Sequence, residues 1–218
     1  MARHGLMTLP PTTPDLWLAR RIARNARTAV EHGAKVVTWA ADEKLLVAVV
    51  GLAWLGVRLL DDDARLRRRA DHLALTTAVS AALPHLVKRL VDRERPDRHV
   101  VGWPRHGVPR SGRPYDSFPS GHATHLGAIA AALARWIPHP WKALLWPAAA
   151  GLAATRLVLL AHWPTDVAAG LAIGMGLEAA LHRLRGPLTA MNHDSLTCSA
   201  DPLDRVLSRM AHRPDQRE

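Results

Sequence analysis

Thr155-Arg156-Leu157-Val158-Leu159-Leu160-Ala161-His162-Trp163-Pro164-Thr165-Asp166 places an arginine inside an apolar run and a histidine four residues before an aspartate. An unpaired charge is costly among residues as apolar as Leu152 to Ala161, so Arg156 signals function or a buried partner. Pro164 suits the first turn of a new helix, which the apolar stretch from Val167 continues. The segment therefore reads as a helix end, a short connection and a helix start. Across four residues on a helix, Asp166 can reach His162, fix one imidazole tautomer and leave the other ring nitrogen free. Taken alone, such a pair is equally a hydrogen bond that tidies a helix start.

Two clusters upstream give the pair a context. Pro119-Ser120-Gly121-His122 opens the apolar stretch Ala123 to Ile137, so its backbone N–H groups face outward at a helix start, where an anion can bind. Gly121 lets the backbone approach a ligand closely, and Ser120 adds a hydroxyl donor. Lys88 and Arg95-Pro96 follow the stretch Leu73 to Val87, and Pro96 ends any helical continuation. Such a group also resembles an ordinary basic flank of a membrane helix, but its spacing and Pro96 favour a site. Lys88, Arg95 and Arg156 can hold the charged oxygens of a phosphate, and arginine does so through two parallel hydrogen bonds. His162 can attack phosphorus; His122 can protonate the leaving group and then, as a base, activate water.

These three clusters, in this order, resemble the signature of the type 2 phosphatidic acid phosphatase superfamily, which also holds bacterial acid phosphatases and vanadium haloperoxidases. Lysine, six residues and Arg-Pro match at Lys88 to Pro96. Pro-Ser-Gly-His matches at Pro119 to His122. The third motif matches at Arg156, His162 and Asp166, with Thr155 in the place of the usual serine. The resemblance covers Lys88 to Asp166 and leaves the first 80 or so residues without a signature. It implies a lipid phosphate or lipid pyrophosphate phosphatase, acting on phosphatidate-type or polyprenyl diphosphate substrates. In that reading His162, His122 and Asp166 are catalytic through a phosphohistidine, and Lys88, Arg95, Ser120, Gly121 and Arg156 bind phosphate.

His122, His125, His162 and Asp166 could also be read as metal ligands. Three cations around the same point would repel a metal ion and attract phosphate, so no metal and no cofactor are expected. With 13 histidines in the chain, His125 alone means little and can simply pack.

Composition bounds the partner. The chain has 218 residues, 48% of them hydrophobic, which suits one domain with a substantial core. A formal net charge of +10 implies an anionic partner: nucleic acid, an acidic membrane or a phosphorylated substrate. No nucleic-acid reading motif organises the basic residues, which leaves membrane or phosphate. The single cysteine, Cys198, excludes an internal disulfide framework. Met1 to Trp17 has no apolar run like a signal peptide, which disfavours a secreted soluble phosphatase.

The expected fold is all-α: a helical bundle integral to the membrane, with four to five apolar helices and an amino-terminal amphipathic helix. Leu16 to Ala40 carries apolar residues every three to four positions, with Arg20, Arg21, Arg24 and Arg27 between them. This helix could lie over lipid phosphates or cover a soluble bundle. The apolar stretches are Leu45 to Leu60, Leu73 to Val87, Ala123 to Ile137, Ala143 to Ala161 and Val167 to Leu181. A spanning helix needs roughly 17 to 25 residues, and a mean hydropathy near zero fits a soluble bundle as well. If each stretch crosses once, all three motifs reach one face. Arg65, Arg67, Arg68, Arg69, Arg135, Lys142, Arg183 and Arg185 then mark the other face as cytoplasmic, and the catalytic face as extracytoplasmic at the cell membrane. Arg98, Arg105, Arg110 and Arg113 blunt that contrast. The loop from Asp97 to Phe118 either covers the site or only connects two helices. Residues 1–44 are expected as an amino-terminal segment, 45–185 as the phosphatase bundle and 186–218 as a polar tail. A soluble acid phosphatase, a haloperoxidase and a non-enzymatic lipid-phosphate binder or transporter are the alternatives.

Overall fold

A computed structural model describes residues 5–25, 28–40, 42–99 and 113–197 of the chain. Arg27, Arg105, Arg110, Cys198 and the tail beyond Thr197 lie outside the described residues. Residues to Ala179 form one compact unit, and Ala180–Glu218 a second. The site lies wholly in the first.

Five helices take up the five apolar stretches: α3 (Glu43–Leu60), α4 (Ala64–Leu90), α6 (Gly121–Ala134), α7 (His139–Val158) and α8 (Pro164–Thr197), with a four-residue α5 (Pro96–His99) between α4 and α6. Short polar side chains start three of them. Asp42 accepts from the Lys44 and Leu45 amides before α3, Asp63 from Arg65 before α4, and Ser120 from Ala123 before α6. Among the described residues, one segment, Pro164–Arg185, is long and apolar enough to cross a membrane by length and composition. The others carry charge at their ends: α4 has 27 residues, yet its first turns hold Arg65, Arg67, Arg68 and Arg69.

The helices pack in the series α3 on α4, α4 on α6 and α6 on α7, with α2 (Thr28–Ala40) also on α7. Helix α6 is the axis, with Ala123, Ala128, Ala130 and Ala132 buried. Its contact with α8 is backbone to backbone: a Cβ on Gly174 would lie 2.1 Å from the Thr124 carbonyl oxygen, and one on Gly127 2.4 Å from that of Leu171. Only glycine fits at either position. This close approach sets the first turns of α6 and α8 side by side, and the Ser120 amide donates to the Asp166 carbonyl at 3.2 Å.

The single amphipathic helix expected over Leu16 to Ala40 is two helices, α1 (Thr13–Asn25) and α2 (Thr28–Ala40). They bury different faces. Ala19 of α1 packs with Leu160 and Trp163, whereas Ala34 of α2 packs with Leu159 and Ala161. Arg20, Arg21 and Arg24 remain exposed. Both helices thus cover the connection from α7 to α8. The all-α expectation also omitted a two-residue parallel ladder, β1 (Met7–Thr8) with β2 (Val91–Asp92), which ties the amino-terminal segment to the chain after α4.

At the far end of α4 and α6, Glu178 is buried and accepts from Arg135 at 2.7 and 3.0 Å and contacts His72 at 3.0 Å. Arg135, read from sequence as part of a basic loop, is engaged in this bidentate pair.

Candidate active site

The end of α7 aims the site. Leu160 has φ of 50°, in the left-handed region. Its amide donates to the Leu157 carbonyl at 2.9 Å, and the Ala161 amide donates back to Arg156 at 3.0 Å. This is a Schellman closure with leucine where glycine is usual. The left-handed conformation costs leucine about 1 kcal/mol. Burial of the Leu160 side chain against Ala19 and Trp163 returns roughly 2 kcal/mol, so leucine is tolerated. The turn delivers His162 one residue later.

His162 is buried, and its Nδ1 lies 2.7 Å from the Ser117 carbonyl oxygen. A carbonyl can only accept, so Nδ1 carries the proton and Nε2 the lone pair. Burial, and then the charges of Arg95, Arg156 and Lys88, hold the imidazole pKa well below the usual histidine value. His162 is accordingly a neutral base with one free nitrogen.

Asp166 does not hold that imidazole directly, because its Oδ2 is 3.8 Å from Nδ1. Its oxygens are already engaged: Oδ2 accepts from the Ser117 hydroxyl and, at 2.9 Å, from the Trp163 amide, while Oδ1 pairs with Arg93. Asp166 therefore acts on His162 at one remove, by fixing Ser117, whose carbonyl fixes the ring.

Ser117 is placed by the segment that contains the first motif. The Arg93 amide donates to Tyr115, Ser117 donates back to Arg93 and Arg95 donates to Pro114, at 2.8, 3.1 and 3.1 Å. Arg95 is buried and largely committed to the protein. Its Nη1 donates to the Ala161 carbonyl at 2.9 Å and its Nε to Asp116 at 2.9 Å. Thus Arg95 both brings charge near His162 and pins the residue before it.

Lys88 occupies the last turn of α4, and Arg156 that of α7. The charges of Lys88, Arg95 and Arg156 act on one another and on His162, and those of Arg156 and Lys88 also reach His122 in the first turn of α6. Arg156 Nε and His122 Nε2 are buried without a hydrogen-bond partner. Leaving such groups unmade costs about 1–3 kcal/mol each, and a phosphate oxygen would satisfy them. Ser120 is buried at the α6 start beside Gly121. The three motifs thus converge on one place. His125, which the sequence also offers as a metal ligand, is buried, with Nδ1 on the Ser80 hydroxyl at 2.8 Å, and packs in the α4–α6 contact.

Sequence reasoning missed Arg93, Ser117 and Asp15. Arg93 fell among the six residues between Lys88 and Arg95, and Ser117 inside the connecting loop. Asp15 had one readable signal, Thr12-x-x-Asp15: the Thr12 amide donates to Asp15 at 3.0 Å and the Asp15 amide to Thr12 Oγ1 at 3.3 Å. That is a capping box, which predicts a helix start and says nothing of a site.

The chain is also similar to known proteins. The sequence profile of the PAP2 superfamily matches residues 70–189. The chain is 34% identical over 165 residues to a lipid A 1-phosphatase of Rhizobium johnstonii, covering 70% of this chain and 66% of that protein. It is 35% identical over 137 residues to the decaprenylphosphoryl-5-phosphoribose phosphatase of Mycobacterium tuberculosis, covering 62% of this chain and 73% of that one. A lipid A 1-phosphatase of Rhizobium etli is 41% identical over 105 residues, 44% of its length. The chain thus spans from under half to about two thirds of the lipid A 1-phosphatases it matches. Among solved structures, Aquifex aeolicus LpxE superposes with a TM-score of 0.61 at 19% identity, covering 77% of this chain and 94% of that one. A transmembrane PAP2-type phosphatidylglycerolphosphate phosphatase of Bacillus subtilis gives 0.58 at 15% identity, covering 79% and 85%. These two likenesses establish the fold. With its three motifs gathered at one site and more than half its length matched by the family profile, the chain belongs to the PAP2 superfamily.

Proposed function

We propose that this protein is an integral membrane phosphatase that hydrolyses a phosphate ester or diphosphate carried by a lipid, through a phosphohistidine on His162. The observation that carries this reading is the His162 ring itself: Nδ1 is tied to a carbonyl, Nε2 is free, and three cations act on it. Nε2 attacks phosphorus, and the bond from phosphorus to the leaving oxygen breaks. Lys88, Arg95 and Arg156 stabilise the charge on the equatorial oxygens, with the Ser120–Gly121 helix start adding amide donors. His122, which burial and the Arg156 and Lys88 charges keep neutral before substrate binds, takes up a proton as the bound phosphate offsets those charges, and gives it to the leaving oxygen. A water then attacks phosphorus, His122 takes the water's proton, the P–N bond breaks and inorganic phosphate leaves. Fixed cations supply the electrostatics, so the reading needs no metal.

A lipid substrate is supported by the relatives, whose names specify lipid A and a decaprenylphosphoryl compound. Exposed apolar side chains on α3 and α7, including Leu52, Leu59, Trp141 and Leu144, support membrane contact. The decisive assay is phosphate release, in detergent with chelator, from phosphatidate, phosphatidylglycerol phosphate, lipid A, a polyprenyl diphosphate and a water-soluble ester. Purified His162→Ala should release none from any lipid that the parent hydrolyses. Preference for the soluble ester, or loss of turnover with chelator, would overturn the lipid or the metal-free part respectively.

We further propose that the catalytic face is extracytoplasmic. In a Cys198→Ser background, a cysteine at exposed Leu90, beside Lys88, should react with an impermeant maleimide on intact cells, whereas one at Leu66 should not. The opposite labelling pattern would reverse the orientation.

A further inference from the structure

Asp15 lies in the amino-terminal segment, to which no chemistry attaches from sequence, yet it is fully buried against the site. Its Oδ2 accepts from Arg93 Nη2 at 2.7 Å and from the Thr165 hydroxyl at 2.8 Å, and its Oδ1 from the Thr165 amide at 3.0 Å. The other arm of Arg93, Nη1, donates to Thr165 Oγ1 at 2.8 Å and pairs with Asp166. Arg93 is thus clamped between two buried carboxylates, one from α1 and one from α8.

From Asp166 the chain of contacts continues through the Ser117 hydroxyl and carbonyl to His162 Nδ1. Neither arm of Arg93 can swing without breaking a contact that fixes the nucleophile. The β1–β2 ladder adds a second tether: the Leu9 amide donates to Asp92 at 3.0 Å, one residue before Arg93. Burial alone would raise the Asp15 pKa, but hydrogen bonds from Thr12 and Thr165 hold it below the usual carboxylate value, so Asp15 is charged at neutral pH. A mere helix cap would need only the Thr12 contact; three of the four hydrogen bonds face the site.

We propose that Asp15 is a positioning residue of the reaction: through Arg93 it holds Asp166 and Ser117 so that His162 presents Nε2 to phosphorus. The amino-terminal segment therefore completes the active site. This rests on His162 being the nucleophile.

Asp15→Asn keeps the shape and removes the charge, while Thr12→Ala cuts only the capping contact. With phosphatidate and lipid A assayed in parallel, Asp15→Asn should lower kcat about tenfold with KM within about twofold, and Thr12→Ala should leave kcat per folded enzyme unchanged. If Asp15 acts through Asp166, the double variant Asp15→Asn/Asp166→Asn should be no slower than Asp166→Asn alone; losses that multiply would overturn the inference. Thr165→Val, which removes the hydroxyl shared by Asp15 and Arg93, supplies a second reading if Asp15→Asn does not fold, and an unchanged kcat there sinks the idea. The His162 Nδ1–H proton resonance in isotope-labelled protein gives a readout besides turnover. It should move in Asp15→Asn and stay in Thr12→Ala, and its failure to move overturns the proposal. Activity remaining in His162→Ala would refute the proposed function instead.

Discussion

His162 carries its own pH signature. Nucleophilic attack needs the neutral ring, and burial with three nearby cations keeps protonation well below the usual 6.5. The acidic limb of kcat/KM should therefore fall below pH 6.5 in a titration from about pH 4 to 8. Lys88→Met removes one of the repelling charges, so it should move that limb upward while also weakening the substrate's binding. The same shift bears on stability. Between the folded and unfolded pKa values the unfolded chain takes up a proton that the folded chain does not, so this contribution is present above 6.5 and lost as pH falls. At Arg156, whose Nε is buried without a partner, Arg156→Lys keeps the charge but loses the fork; kcat/KM should fall about 10- to 100-fold in the same assay. Both residues were legible in the sequence, because a charge in an apolar run and a His-Asp pair are conspicuous. What each of them touches was not. The direct Asp166–His162 contact expected from four-residue spacing gave way to Ser117, since His162 precedes the helix and only Asp166 lies in its first turn.

At the scale of elements, α6 and α8 set the tolerance of the site. Gly174→Ala would place a methyl 2.1 Å from the Thr124 carbonyl oxygen, and the two helices must move apart. Overpacking of this kind costs about 1–3 kcal/mol, and the melting temperature should drop by several degrees, with activity falling further than the lost folded fraction explains. A melting curve and a turnover number on the same sample separate the two effects. Leu160→Gly tests the Schellman turn in the opposite sense. Glycine relieves about 1 kcal/mol of left-handed strain, but it deletes a buried side chain whose loss costs roughly 2–5 kcal/mol, so the variant should be less stable. Each of the five apolar stretches became the body of a helix, but α4 starts at Ala64, well before Leu73, because its first turns are charged and carry no apolar signal. The β1–β2 ladder could not be read, since two-residue strands have no periodicity.

For the whole molecule, the basic charge and the exposed apolar faces of α3 and α7 make separate predictions about the membrane. If the chain is integral, alkaline carbonate should leave it in the pellet and detergent should release it. If only the arginines of α1 held it to anionic lipid, high salt would be enough, because exposed charges are screened beyond about 8–10 Å at physiological ionic strength. Fractionation followed by immunodetection distinguishes the outcomes. Arg135, counted in sequence among the cytoplasmic charges, is neutralised by Glu178, which weakens its part in setting orientation.

The sequence alone determined the family and the helical class. Three motifs at helix ends, each built from charged or small residues among apolar ones, specify a phosphate site because few other ligands reward that combination. Tertiary structure alone decided how His162 is held. The route from Asp15 through Arg93, Asp166 and Ser117 to His162 joins residues up to 151 positions apart, counting from 15 to 166, and no local pattern encodes such a path. Periodicity reports which face of a helix is buried. It does not report which buried carboxylate meets which guanidinium, because that depends on the close packing that brings separate helix ends together.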